Sequence, residues 1–321
     1  MKSIQELSAL VSDELGRIEY PKNPSLLYEP IDYILGLGGK RMRPILVLMA
    51  YQLFDKNIEK AISPALAIEV FHNFTLLHDD IMDNAPLRRG QQTVHEKWNN
   101  NVAILSGDTM LVQAYQLIAE VDNTIVKQVL AVFSKAAIEV CEGQQWDMDF
   151  ETQSDVSIPD YLKMIEYKTA VLLGAALQIG GITAGASKEE QNHLYAFGRD
   201  LGIAFQLKDD LLDAFGDTAT FGKQVGGDIM ANKKTYLYLK ALALADGTQR
   251  QNLEQYFSTN DTSQLKVDAV KSIFSNLEIP ELTTNLIREY HARAMENLAA
   301  IDSENKEPLL AFSALLMDRV S

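Results

Sequence analysis

The 321-residue chain holds a single cysteine, Cys141, which excludes an internal disulfide and a cysteine-rich zinc site and suits a reducing compartment. Positive charge is scarce: 29 Lys+Arg stand against 44 Asp+Glu, a net charge of −15. Nucleic acid and anionic membranes are bound by basic surfaces, so neither is expected as a partner. An anionic ligand would need a local basic pocket or recruited metal ions. Long hydrophobic runs are also missing. The longest uncharged stretch, Thr169 to Ser187, is broken by Gln178, two threonines and four glycines, and reads as a buried helix rather than a membrane span. Met1-Lys2-Ser3-Ile4-Gln5-Glu6 puts no apolar segment behind a basic head. No signal peptide and no stable membrane insertion are expected, and the chain reads as cytoplasmic. Histidines are few. His72 and His78 stand six apart, off the i, i+4 spacing of a helical zinc pair.

What is present is helical periodicity. Apolar residues recur at three- and four-residue spacing, and alternating strand-like runs are scarce. The spacing predicts helices over roughly 4–18, 26–36, 43–54, 63–84, 101–120, 123–148, 159–183, 188–215, 231–245, 264–275, 280–301 and 308–319. Ser63-Pro64 and Ser157-Ile158-Pro159-Asp160 place a capping hydroxyl before a first-turn proline, and Pro280 opens another helix. Polar loops are expected at Pro86 to Gln92 and Phe215 to Asp228. With 47% hydrophobic residues and no repeat or linker, residues 1–321 read as one all-α domain, a bundle of long helices.

Within that bundle, His78-Asp79-Asp80-Ile81-Met82-Asp83 sets two carboxylates four residues apart, one helical turn above the other. Nothing basic alternates with them, and they follow the apolar Phe71, Phe74, Leu76 and Leu77. Carboxylates at the end of a buried helix suit a hard, oxygen-seeking cation. A second copy with the same DDxxD spacing lies in Gln206-Leu207-Lys208-Asp209-Asp210-Leu211-Leu212-Asp213, again after an apolar helix. Two such clusters point to Mg²⁺ whose shell is completed by substrate phosphates.

Cations concentrate beside these clusters. Gly38-Gly39-Lys40-Arg41-Met42-Arg43-Pro44 reads either as an anion site or as an ordinary helix end with solvated charges. Arg88-Arg89-Gly90 follows the first cluster closely enough to fold over it and clamp phosphate. Lys168-Thr169 lies inside an apolar helix, Lys223 follows the second cluster, and Lys233-Lys234-Thr235 comes soon after. On a helical wheel His72 falls within about 20° of Asp79, which leaves it as a donor into the same pocket or as a satisfied core histidine.

Taken together, GGKRMRP, HDDIMD with its trailing RRG, Lys168-Thr169, and QLKDDLLD followed by Gly222-Lys223-Gln224-Val225-Gly226-Gly227-Asp228 resemble the trans-isoprenyl diphosphate synthases (polyprenyl synthetases) over residues 36 to 235. The resemblance implies the all-α isoprenoid synthase fold around a central cavity faced by both Asp motifs, a homodimer, and three Mg²⁺ per site. It implies 1′-4 condensation of isopentenyl diphosphate with an allylic diphosphate of C5 to C15. By the same resemblance Asp79, Asp83 and Asp209 are the metal ligands, with Asp80, Asp210 and Asp213 in lesser roles. Arg88, Lys168, Thr169, Gln206, Lys223 and Lys233 contact the allylic diphosphate, and Lys40, Arg43, His72 and Arg89 hold isopentenyl diphosphate without metal. Lys168, Asp79, Asp83 and Asp209 carry the catalysis.

Product length rests on Phe71, Phe74 and Thr75. A bulky residue five before the first Asp, here Phe74, often acts in the family as the floor of the product tunnel. The aromatic at 74, the small Thr75 and the uninserted motif resemble a short-chain enzyme making C20 or C15. Phe71 and Phe74 read equally as core packing. A synthase making C30 or longer chains is the alternative. A class I terpene cyclase is disfavoured, because it would carry an NSE- or DTE-type second motif and lack GGKRMRP.

Overall fold

A computed structural model of the chain describes residues 2–216 and 225–317. Ten of its α-helices run in order: α1 Ile4–Gly16, α2 Ser25–Gly36, α3 Met42–Gln52, α4 Ile62–Met82, α5 Val94–Lys97, α6 Asn100–Ala119, α7 Val126–Thr152, α8 Ile158–Ile165, α9 Val171–Thr183 and α10 Lys188–Phe215. A π-helical turn, Glu166–Ala170, joins α8 to α9. Helices Gly227–Met230, Tyr236–Leu244, Gly247–Phe257, Gln264–Asn276, Ile279–Ala300 and Glu307–Met317 follow. Among the described residues the strands are β1 Leu87–Arg88 and β2 Gln91–Gln92, one antiparallel hairpin inside the expected loop. The fold is all-α, as the periodicity predicts.

Local chemistry explains several helix starts. Ser3 and Glu6 form a reciprocal capping box at α1, and Ser157 and Asp160 form another at α8 with Pro159 in the first turn. Ser63 departs from expectation. Helix α4 begins at Ile62, and the Ser63 hydroxyl donates to Leu117 O at 2.8 Å and Glu120 Oε2 at 2.6 Å instead of capping its own helix. Gly247–Phe257 was not predictable from pattern, because Leu253 is its one fully buried residue and no apolar stripe marks it.

The chain forms two compact units, Met1–Ser134 with Ala175–Leu194 and Asp302–Leu310, and Lys135–Gly174 with Tyr195–Ile301 and Ala311–Ser321. In the first, α4 packs on α3 and α6 and buries Ala67, Ile68, Val70 and Phe71 completely. Gly180 lets α9 approach α3; a Cβ there would sit 2.9 Å from Ala50 Cβ. In the second, Ile165, Leu207, Leu253, Val267, Phe274 and Ile279 share one core. Each such side chain contributes about 1.5–3 kcal/mol on burial. The uncharged Thr169 to Ser187 stretch is largely interior, as expected.

Candidate active site

Helix α4 ends at the first Asp cluster. Asp83 is its C-cap, with its N–H donating to Asp79 O at 2.9 Å, so the two carboxylates do sit one turn apart. Asp79 is partly exposed and Asp83 exposed, whereas Asp80 points inward and is 2% exposed. Asp80 is held by Arg88 from the hairpin. Arg88 Nε lies 2.8 and 2.7 Å from the two Asp80 carboxylate oxygens, and Arg88 Nη2 lies 2.6 Å from Oδ1 and 3.7 Å from Asp79 Oδ2. A buried carboxylate needs such a partner, and the forked guanidinium supplies it bidentately.

The GGKRMRP segment makes a cavity of about 360 Å³ lined by Gly39, Lys40, Arg41, Met42, Arg43, Glu69, His72 and Arg89. The left-handed backbone at Gly38 (φ 77°), Gly39 (φ 128°) and Arg41 (φ 47°) folds the loop back on itself. Arg89 donates to Gly38 O, and its guanidinium lies where a Cβ at residue 39 would come within 2.7 Å of Cζ. Arg43 Nη1 is 3.0 Å from His72 Nε2, while Arg43 Nε is buried with no partner among the described residues. Burial holds Arg43 down to about 10, with Arg89 adding to the effect and Glu69 opposing it. Burial, then the charges of Arg43, Arg89, Arg88 and Arg41, hold His72 well below the usual histidine range. His72 is therefore neutral and accepts from Arg43. Arg41 behaves differently from its neighbours: it is 7% exposed and turned inward, with Nη1 2.5 Å from Glu69 Oε1 and a second bond to Leu35 O. Glu69 also accepts from Asn73 Nδ2 at 2.9 Å.

The second cluster closes α10. Its cavity, about 130 Å³, is lined by Asp147, Tyr161, Lys168, Thr169, Gln206, Asp210, Asp228 and Lys233 among others. Lys168 and Thr169 sit on the π turn, which re-aims side chains out of α-helical register. Gly143 permits it, since a Cβ there would lie 2.7 Å from Lys168 Cα. Lys168 Nζ pairs with Asp147 Oδ2 at 2.5 Å, and Thr169 Oγ1 donates to Gln206 Oε1 at 3.3 Å. Asp209 is partly exposed, but Asp210 is buried and accepts from Tyr161 Oη and from Gln206 Nε2 at 3.1 Å. Burial, then the Asp228 charge, pushes Asp210 up to about 7 against those two hydrogen bonds. Asp213 Oδ2 accepts from the Asp228 N–H at 2.9 Å, and Lys233 Nζ lies 3.8 Å from Asp228 Oδ1.

Among the described residues no three His, Cys, Asp or Glu side chains converge on one metal position. The donors present are carboxylate oxygens, Asp83 exposed and Asp79 partly exposed with its Oδ1 buried, which fits Mg²⁺ sharing its shell with phosphate and water and does not fit a closed protein cage. Thus Lys40, Arg43, His72 and Arg89 meet at one cavity, Asp79, Asp83 and Arg88 at one helix end, and Lys168, Thr169, Gln206 and Lys233 at another cavity. Lys223 lies outside the described residues. Sequence reasoning missed Asp147, Tyr161 and Gly143; the Gly143-to-Asp147 spacing on a helix leading to Lys168 was the available signal. Phe71 and Phe74 are 0% and 7% exposed with ring centroids 5.7 Å apart, and Thr75 Oγ1 donates to His72 O at 2.8 Å.

Comparison with known proteins agrees with this arrangement. The family description Polyprenyl synthetase matches residues 24–276. A crystal structure of a geranylgeranyl pyrophosphate synthase superposes with a TM-score of 0.95 at 47% identity, covering 100% of both chains. The geranylgeranyl diphosphate synthase of Methanosarcina mazei is 42% identical over 240 residues, 74% of each chain. The geranylfarnesyl diphosphate synthase of Natronomonas pharaonis is 38% identical over 257 residues, covering 74% of this chain and 75% of its own. The chain belongs to the polyprenyl synthetase family.

Proposed function

We propose that the chain is a short-chain trans-prenyltransferase that joins isopentenyl diphosphate to an allylic diphosphate and stops at C20. The observation that carries this is the basic cavity of Lys40, Arg43, His72 and Arg89, whose one lining carboxylate, Glu69, is already paired with Arg41. A diphosphate entering it meets cations directly and needs no metal. The partly exposed Asp79 and the exposed Asp83 instead suit the diphosphate that must leave. The family match runs through both compact units, and we read 1–321 as one functional domain.

Asp79, Asp83 and Asp209 would hold Mg²⁺, three ions in all, which supply charge neutralisation to the departing diphosphate. Lys168, Thr169, Gln206 and Lys233 would bind and orient the allylic diphosphate, with Arg88 as a further contact. The allylic C1–O bond breaks heterolytically, and the electron pair leaves with the diphosphate. The double bond of isopentenyl diphosphate, held by Arg43, Arg89 and Lys40, attacks C1, and the proton released goes to the freed diphosphate. Phe74 stands as the tunnel floor, so Phe74→Ala lengthens the products.

A homodimer is supported by α6, which exposes Leu105 and Val112, seven residues apart on one side, at 58% and 60%. Helix α6 is also the one helix among the described residues long and apolar enough to cross a membrane; a third of it is buried, and we read its outer side as a protein interface. The unpaired Cys141 and the acidic charge support a cytoplasmic enzyme. Incubating the protein with isopentenyl diphosphate and a C15 primer, with Mg²⁺ or chelator, tests the reading by mass spectrometry of the products.

A further inference from the structure

Glycines at helix contacts usually spare a clash with backbone, as Gly143 does with Lys168 and Gly180 with Val47. Gly107 on α6 is different. The three atoms nearest to a Cβ built there all belong to the imidazole of His78, with Cδ2 at 2.6 Å and Nε2 nearer still. His78 thus fills the notch left by the missing side chain, its Nε2 3.3 Å from Ile104 O. The same imidazole meets Phe74 edge-on, ring centroids 4.7 Å apart.

From there a column of rings continues through one compact unit. Phe74 meets Phe71 at 5.7 Å, Phe71 meets Phe133 at 5.3 Å, and Phe133 meets Tyr115 at 5.0 Å. Phe71 and Phe133 are fully buried and Tyr115 is tied to Ser134, so the lower end of the column is fixed by close packing. Phe74 itself is 7% exposed and touches both Phe71, which this packing holds, and His78, whose ring sits in the Gly107 notch.

We infer that Gly107 and His78 are positioning residues for product length: the glycine seats the imidazole, and the imidazole sets where the Phe74 ring stops the growing chain. The inference rests on Phe74 being the floor. A methyl group at 107 drives His78 onto Phe74 and pushes that ring further into the product's path. Removing the imidazole lets Phe74 swing toward the vacated notch and opens the path. The chemistry of condensation involves neither residue.

The test compares Gly107→Ala, His78→Ala, the double variant and Phe74→Ala by mass spectrometry of products from isopentenyl diphosphate and a C5 primer. Gly107→Ala is expected to shift the main product down by one C5 unit and His78→Ala to shift it up. In the double variant the new methyl occupies the emptied notch, so the distribution returns toward that of the parent. The first condensation in Gly107→Ala stays within about threefold of the parent in kcat/KM, which separates a length effect from general damage. Should Gly107→Ala fail to fold by circular dichroism, the His78→Ala and double variants decide, because neither crowds the notch. Unchanged products in these variants while Phe74→Ala lengthens them overturn the inference and leave the floor in place. Unchanged products in Phe74→Ala overturn the floor, and the inference falls with it.

Discussion

Arg88 straddles the carboxylate of Asp80, with Nε 2.8 and 2.7 Å from its two oxygens, while Asp79 on the adjoining position is 3.7 Å from Arg88 Nη2. Neighbouring aspartates of one motif therefore differ in setting: the buried Asp80 holds the part-exposed Arg88, and Asp79 keeps a more accessible side chain.

That division predicts different phenotypes. Asp79→Ala should lower kcat about a thousandfold or more, roughly 4 kcal/mol of transition-state stabilisation, with the circular dichroism spectrum unchanged. Asp80→Asn should retain more activity than Asp79→Ala yet melt at a lower temperature, because Arg88 loses its buried charge partner. Equal turnover in the two variants would contradict the division.

The Arg41–Glu69 pair predicts a stability effect behind the basic cavity. Glu69→Ala strands Arg41, which is 7% exposed, and should cost about 3–5 kcal/mol in denaturant unfolding. Replacing both residues with apolar ones of similar size should recover much of that loss. A single variant as stable as the parent would show that the pair does not hold the loop.

His72 predicts a pH dependence with a definite sign. Its folded value lies below the ordinary one, so between the two the unfolded chain binds a proton that the folded chain does not. The contribution to stability is fully present above about pH 6.5 and is lost as pH falls from there toward the folded value, by up to about 1.4 kcal/mol per pH unit. His72→Asn should flatten that part of the melting-temperature profile. A profile in which the variant keeps the parent's slope would assign the proton to another group.

Tyr161 predicts a role for a residue outside the recognised motifs. Tyr161→Phe leaves Asp210, among the described residues, with the Gln206 bond. Activity should fall about 10-fold, with KM for the allylic diphosphate rising more than KM for isopentenyl diphosphate, since one hydrogen bond is worth about 0.5–1.5 kcal/mol. Equal changes in the two KM values would place Tyr161 in the scaffold.

Much of this was legible in the sequence because helices carry their geometry in their spacing. Asp79 with Asp83, and Asp209 in its own motif, could be placed from a four-residue interval, and Ser157 with Asp160 from a capping pattern. The fold class followed from the same period. Three kinds of feature were not legible. Asp147 and Tyr161 reach the second cavity from segments that tertiary packing alone brings near α10. The π turn at Lys168 adds one residue to a pattern that reads as a continuous helix. Arg41 carries the same charge as Lys40 and Arg43, and its left-handed backbone, φ 47°, is what turns it inward toward Glu69. Ser63 shows the converse, since its capping pattern lost to hydrogen bonds with Leu117 and Glu120.

The central claim is that this chain elongates allylic diphosphates and stops at C20. Mass spectrometry of products formed from isopentenyl diphosphate with C5, C10 and C15 primers, each with Mg²⁺ and with chelator, tests it most directly. A discrete C20 diphosphate is expected from every primer, abolished by chelator. No elongation from any primer would contradict the reaction, and chains of C30 or longer would contradict Phe74 as the floor.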